Sequence, residues 1–238
     1  MNPLHPRSAG NAGRGPDVLF HVTDPVTIDV WSDIACPWCY VGKRRMETAV
    51  ERFRAEGGDV TIEYHSFELS PDTPVDYDGG EADFLATHKG MPREQAVAML
   101  EQMAQLAATE GLQYDFGALQ HTNTVLAHQL LHHAKAHGRQ VELKERLLKA
   151  YFEQGRHVGR VDDLVALAAE VGLDPDEARA ALESDRHLQD VRADQQQAVA
   201  LGIRGVPFFV LDKRLGVSGA QDPEVLLDAL REAARVEA

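Results

Sequence analysis

The only two cysteines of this chain lie two residues apart, in SDIACPWCYVGKRR, residues 32 to 45. Cys36 and Cys39 at that spacing can do two kinds of chemistry. They can supply half of a metal site, or they can cycle between a dithiol and a disulfide. A structural zinc site usually takes four Cys or His ligands, and no further cysteine exists to complete one. Histidines do recur at helical spacing, His128 with His132 and His133 with His137. They lack the glutamate of an HExxH site and read as a solvated helix side, and whether they hold metal stays open. The thiols themselves read as a redox pair without metal.

A structural staple explains the pair poorly. With 238 residues, 44% hydrophobic and 26% charged, the chain can bury a core unaided. Closing so short a loop would also restrict the unfolded chain very little. The net charge of -14 argues against nucleic acid, and Lys43-Arg44-Arg45 is too small a cluster to reverse that. No apolar run approaches a membrane span. Residues 1–24, rich in Gly, Pro and Asn, lack the apolar stretch of a secretory signal. They read as a disordered tail, so the cytoplasm is the expected location.

The elements that must position the thiols follow from apolar periodicity. VTIDVW, residues 26–31, alternates as a strand, and so does DVTIEYHSFEL, residues 59–69. Between them, Met46, Ala49, Val50 and Phe53 form one helical face that stops at Gly57-Gly58. The cysteines therefore sit at a strand-to-helix junction inside a βαβ unit. The positive end of a helix stabilises a thiolate there. Pro37 suits the first turn because it has no N–H to leave unpaired, and Trp38 adds apolar surface. Cys36 is expected to attack and Cys39, a turn deeper, to resolve the mixed disulfide. Asp33 either assists proton transfer from Cys39 or is a turn residue.

Beyond the loop at residues 70–80 the patterns are helical, with no strand-like alternation from 118 to 190. Asn123 opens NTVLAHQL and either caps that helix or reaches the cleft near the thiols. Strands return in GIRGVPFFVLDKRLGVSGAQ, residues 202–221, as a hairpin turning at Asp212-Lys213-Arg214. A final amphipathic helix begins at Asp222-Pro223. Pro207 is either a turn proline at a strand edge or part of a cis Val206–Pro207 bond. If that strand abuts the CxxC helix, Pro207 lies against the sulfurs, and the Val206 backbone can pair with an extended peptide.

With WSDIACPWCY, the helical block and GVPFFV together, the chain resembles the DsbA family of thioredoxin-fold oxidoreductases. The match is closest to the cytoplasmic FrnE-like branch, related to 2-hydroxychromene-2-carboxylate isomerases, and covers roughly residues 26 to 235. The resemblance implies an α/β thioredoxin fold, βαβ then ββα, with a large all-helical insertion. Its divisions are the tail 1–24, a first half 25–75, the insertion 76–195 and a second half 196–238. It carries the nucleophile onto Cys36, the resolving thiol onto Cys39 and the cis proline onto Pro207. Candidate substrate contacts are Pro37, Trp38, Val206 and Asn123.

The implied activity is a dithiol–disulfide oxidoreductase or isomerase acting on disulfide-containing proteins. Its partner would be a cellular reductant or low-molecular-weight thiol, with no cofactor beyond the Cys36–Cys39 disulfide. The periplasmic type has a histidine between its cysteines, where this chain has Pro37-Trp38. The Cys36 pKa is therefore expected between ~3.5 and ~7, and the potential between about -120 and about -270 mV. Two rivals are a glutathione-dependent small-molecule isomerase or transferase of the 2-hydroxychromene-2-carboxylate isomerase type, and a non-enzymatic metal-binding module. The first generally does without the CxxC pair that is kept here.

Overall fold

β1 (Val26–Ser32), α1 (Pro37–Ala55) and β2 (Val60–Ser66) form the first half of the sheet domain in the computed structural model. The structure describes residues 25–235, so the expected tail at 1–24 lies outside them. Seven helices follow before the sheet resumes. They are α2 (Glu81–Lys89), α3 (Arg93–Thr109), α4 (Val125–Ala136), α5 (Gln140–Gln154), α6 (Val161–Glu170), α7 (Pro175–Glu183) and α8 (Leu188–Ala200). β3 (Phe208–Leu211), β4 (Leu215–Ser218) and α9 (Pro223–Ala233) close the chain. This is the thioredoxin fold with a helical insertion.

The strand order is β2-β1-β3-β4, with β1 and β2 parallel and the other pairs antiparallel. The register sets Trp31 opposite Phe208, so Pro207 falls level with the end of β1, where the cysteine loop begins. The hairpin turns where Asp212 and Lys213 adopt φ of 49° and 56°, the left-handed values a tight two-residue turn needs. The Asp212 carboxylate also accepts the Thr27 N–H at 2.8 Å, which ties the turn to β1.

Two main cores result. Alternate residues of β1, namely Val26, Ile28 and Val30, pack on Met46, Val50 and Phe53 of α1 and on Leu226, Leu227 and Leu230 of α9. The other core is helical, and it also contains Ile34, Tyr40 and Val41 from either side of the cysteines. The thiol loop is thus anchored in the insertion as firmly as in the sheet. Each such buried aliphatic or aromatic side chain contributes roughly 1.5–3 kcal/mol.

One helix has no counterpart in the sequence reading. α8, LQDVRADQQQAVA, buries only Val191, Asp194 and Ala198, so its apolar stripe is nearly absent. Tertiary contact, rather than periodicity, holds it in place.

Candidate functional site

Cys36 is the N-cap of α1, in an extended conformation at φ -93° and ψ 111°, and Pro37 opens the helix. The Cys39 N–H closes the first turn on the Cys36 carbonyl at 3.0 Å. Both thiols are free and buried, 4% and 3% exposed. The Val206–Pro207 peptide is cis, and the Cys36 thiol donates to the Val206 carbonyl at 3.5 Å. Gly42, on α1, lets this contact form. A Cβ there would lie 2.7 Å from Pro207 Cγ, so only glycine permits the helix so near the proline. Nothing in the periodicity of α1 marked that glycine.

Behind the sulfurs lies a buried charged cluster. Asp33 is 1% exposed, and one of its oxygens accepts Thr124 Oγ1–H at 2.9 Å and faces His128 Nε2 at 3.2 Å. Its other oxygen accepts the Leu69 N–H at 2.8 Å. Burial opposes the charge on Asp33, but His128, the Leu69 amide and Thr124 outweigh it and hold its pKa below the usual value. Asp33 is therefore an ionised carboxylate at neutral pH. Its contacts tie the cysteine loop to Leu69 and to α4.

Lys144 of α5 is wholly buried, and its Nζ has no hydrogen-bond partner. The ammonium stands 5.6 Å from the centre of the Tyr64 ring. Burial lowers its pKa to about 8, while the charges of Cys39, Asp33 and Cys36 act to keep it protonated. A lone buried ammonium beside thiols stabilises a thiolate.

Electrostatics divide the two sulfurs. The proton shared with Cys39, then burial, then the charges of Cys39 and Asp33 push Cys36 well above its ordinary value. Burial also acts against Cys39, yet the Cys36 hydrogen bond and the charge of Lys144 bring it below. The otherwise unpartnered Ser32 hydroxyl and the Asp33 backbone add to that lowering. The two thiols titrate as a unit that holds its second proton tightly. The partner thiol, burial and Asp33 act against the low pKa expected for Cys36, and the Cys39 amide acts for it.

The insertion also fixes the loop mechanically. Tyr114 donates its hydroxyl to the Pro37 carbonyl at 2.7 Å. On α5, the Gln140 amide brackets the Tyr64 backbone of β2, accepting its N–H at 3.0 Å and donating to its carbonyl at 2.8 Å. Glu145, also on α5, accepts Tyr40 Oη–H at 2.8 Å and pairs with Lys43 and Arg44 of α1. Burial would raise the Glu145 carboxyl, but Arg44 and Lys43 bring it down to about 2. The basic cluster seen in the sequence is thus consumed by internal ion pairs.

Beside the thiols runs a groove of about 560 Å³. Its wall is apolar, with Trp38, Leu69, Phe84, Met99, Met103 and Leu106, and Asp33 and Pro37 also line it. Trp38, Leu69 and Met99 are 44%, 47% and 41% exposed, unusual for such large apolar side chains. Val206 contacts Cys36 rather than this groove. Asn123 is not among the residues lining the groove. Its side chain accepts the Val125 N–H at 2.8 Å and donates to the carbonyls of Pro71 and Thr73 at 2.8 and 3.1 Å. Those bonds join the 70–75 loop to the start of α4.

Of the four helix histidines only His137 is exposed. His128 is buried against Asp33, and His133 is 2% exposed. His132 contacts Asp194 at 3.0 Å, on the opposite side of α4's link to the sheet. There His65 bridges Asp29 and Asp194 at 2.9 Å each and stacks on Trp31 with ring centres 4.4 Å apart. Burial opposes charging His65, but Asp194 and Asp29 raise its pKa to about 9.

Residues 27–231 match the model of the DSBA-like thioredoxin domain family. The crystal structure of probable DsbA oxidoreductase SCO1869 from Streptomyces coelicolor is 41% identical, with a TM-score of 0.83, covering 90% of this chain and 92% of that one. The uncharacterized protein YwbO of Bacillus subtilis (strain 168) is 31% identical over 211 residues, 86% of this chain and 96% of its own length. The structure of 2-hydroxychromene-2-carboxylate isomerase aligns with a TM-score of 0.63 at 16% identity, covering 87% of this chain and 95% of that one. At that identity the likeness is one of fold.

Proposed function

The chain belongs to the DSBA-like thioredoxin domain family, and we propose that it exchanges disulfides with extended segments of protein substrates. The observation that carries this reading is the exposed apolar groove alongside the cysteine loop. Unfolded or loosely folded segments present apolar side chains, which a wall of Trp38, Met99 and Leu69 can cover. The Val206 carbonyl at the Cys36 sulfur lies where the backbone of such a segment would run.

The reduced enzyme opens a substrate disulfide in two displacements. The half-ionised pair passes its charge to Cys36 as the proton moves to Cys39, and the Cys36 thiolate attacks one substrate sulfur. The substrate S–S bond breaks, and the other substrate sulfur leaves as a thiolate. Cys39, deprotonated again beside Lys144, attacks Cys36 and releases the second substrate thiol. The substrate gains two electrons and the enzyme holds the Cys36–Cys39 disulfide, which a cellular reductant or low-molecular-weight thiol returns to the dithiol. When a different substrate thiolate instead attacks the substrate sulfur of the mixed disulfide, a new substrate S–S bond forms, Cys36 leaves as a thiolate, and the outcome is isomerisation with no net electron transfer.

We place this activity in the cytoplasm, where free thiols persist. Among the described residues, no helix is long and apolar enough to cross a membrane. The test is reduction and reshuffling of a scrambled disulfide protein by wild type, Cys36→Ser and Cys39→Ser. Cys36→Ser should lose both reactions, while Cys39→Ser should lose net reduction and accumulate a covalent mixed disulfide through Cys36. Wild type inactive on the scrambled protein, or Cys36→Ser as active as wild type, would overturn the reading.

A further inference from the structure

We propose that His133, His137 and Glu177 form a three-ligand site for a zinc-class divalent cation, joining α4 to α7 apart from the redox pair. One ligand atom from each residue lies within 4.8 Å of the others. The two histidines are one turn apart, with ring centres separated by 4.4 Å.

The His137 ring is fixed in the form a metal requires. Its Nδ1 lies 2.8 Å from the His133 carbonyl, which can only accept, so Nδ1 carries the proton. Nε2 is then the free lone pair. An imidazole that donates its other N–H to a backbone carbonyl is the usual arrangement behind a metal-bound histidine.

That Nε2 faces Glu177 Oε2 at 3.4 Å. The spacing exceeds the N–H···O range of about 2.7–3.2 Å. It matches two ligands of one tetrahedral zinc, whose bonds of about 2.1 Å set the donor atoms about 3.4 Å apart. Glu177 is held in position because Asp174 caps α7, accepting the Asp176 and Glu177 N–H groups at 2.9 Å each.

His133 supplies an independent sign. It is 2% exposed, and its Nε2 is buried without a hydrogen-bond partner. A buried ring nitrogen left unsatisfied has a cost that a cation bound to its lone pair offsets. His187 is near, with ring centres 6.1 Å apart, but its nitrogens lie outside the cluster of ligand atoms within 4.8 Å of one another. The fourth position therefore falls to water, since the His137 and Glu177 side chains are 42% and 62% exposed. Two imidazoles and a carboxylate suit zinc, and they suit magnesium or calcium poorly.

The test uses the full chain with the Cys36–Cys39 disulfide formed, so that thiols cannot bind the probe. Zinc is titrated calorimetrically, and cobalt is added separately to read coordination from its visible spectrum. One zinc per chain is expected, with a four-coordinate cobalt spectrum. His137→Ala and Glu177→Gln, both at exposed positions, should each weaken binding on the order of tenfold or more. Absence of saturable binding would overturn the proposal. So would equal binding by both variants, or binding that appears only in the reduced protein and vanishes in a Cys36→Ser/Cys39→Ser double variant. None of these outcomes bears on disulfide exchange, which is assayed without metal.

Discussion

The sheet domain and the helical insertion contribute to the thiol site in different ways. From the sheet domain come the sulfurs, the helix terminus, Pro207 and the glycine that lets them approach. From the insertion come charge and restraint: Lys144 near Cys39, His128 and Thr124 on Asp33, and Tyr114 on the Pro37 carbonyl. A strand-helix-strand unit can place two sulfurs at a helix start wherever it occurs. It has few interior positions from which to set their ionisation. The lesson is a division of labour in which the sheet half makes exchange possible and the insertion sets how far it is poised.

That division can be broken from the sheet side most severely. Cys36→Ser should reduce disulfide exchange by several orders of magnitude, since it removes the thiol at the helix start and leaves only Cys39, a turn deeper. Stopped-flow reduction of a model disulfide checks this, and retained turnover would place the chemistry elsewhere. Next in size, Gly42→Val drives a side chain into Pro207. Overpacking of this kind costs about 1–3 kcal/mol, read from denaturant midpoints. If α1 moved away without loss, the contact with Pro207 would not be positioning the thiols.

The smallest effect sharpens the comparison by testing a charge cluster away from the sulfurs. His65 has its pKa raised to about 9 from 6.5, so its charged form stabilises the fold. That contribution is complete below pH 6.5 and disappears as the pH rises through about 9. Lys144 acts in the opposite sense. With its pKa lowered to about 8 from 10.5, stability rises with pH across that interval. Between about pH 6.5 and about 8 the difference between wild type and His65→Gln therefore reports His65. Wild type should lose stability relative to His65→Gln across that window in chemical denaturation at the two pH values.

The parts of this molecule that could be read from its sequence are those fixed by short spacing. Two cysteines after a strand, a proline before the last hairpin, and Asp212-Lys213 between two strands each specify local backbone. The apolar stripe of α1 likewise gave its buried face. What could not be read is burial of charge. Lys144, His128 and Asp194 look like surface residues of amphipathic helices, and only tertiary packing turns them inward. α8 escaped notice for the same reason, because its inward residue at the centre is an aspartate. The expected acidity of Cys36 rested on the helix terminus alone. Asp33 and the neighbouring thiol, neither of which that reasoning weighed, act against it.

The most direct test of this division is the reduction potential of the Cys36–Cys39 pair, measured by equilibration in thiol buffers for wild type and Lys144→Met. Lys144 favours the Cys39 thiolate and so stabilises the reduced form. One unit of thiolate pKa is worth about 1.4 kcal/mol, or about 30 mV for two electrons. Wild type should show a reversible two-electron couple, and Lys144→Met should be more reducing by about 30 mV or more. A reversible couple with the same potential in both proteins would contradict the tuning role of the insertion, and no reversible couple in wild type would contradict the redox function itself.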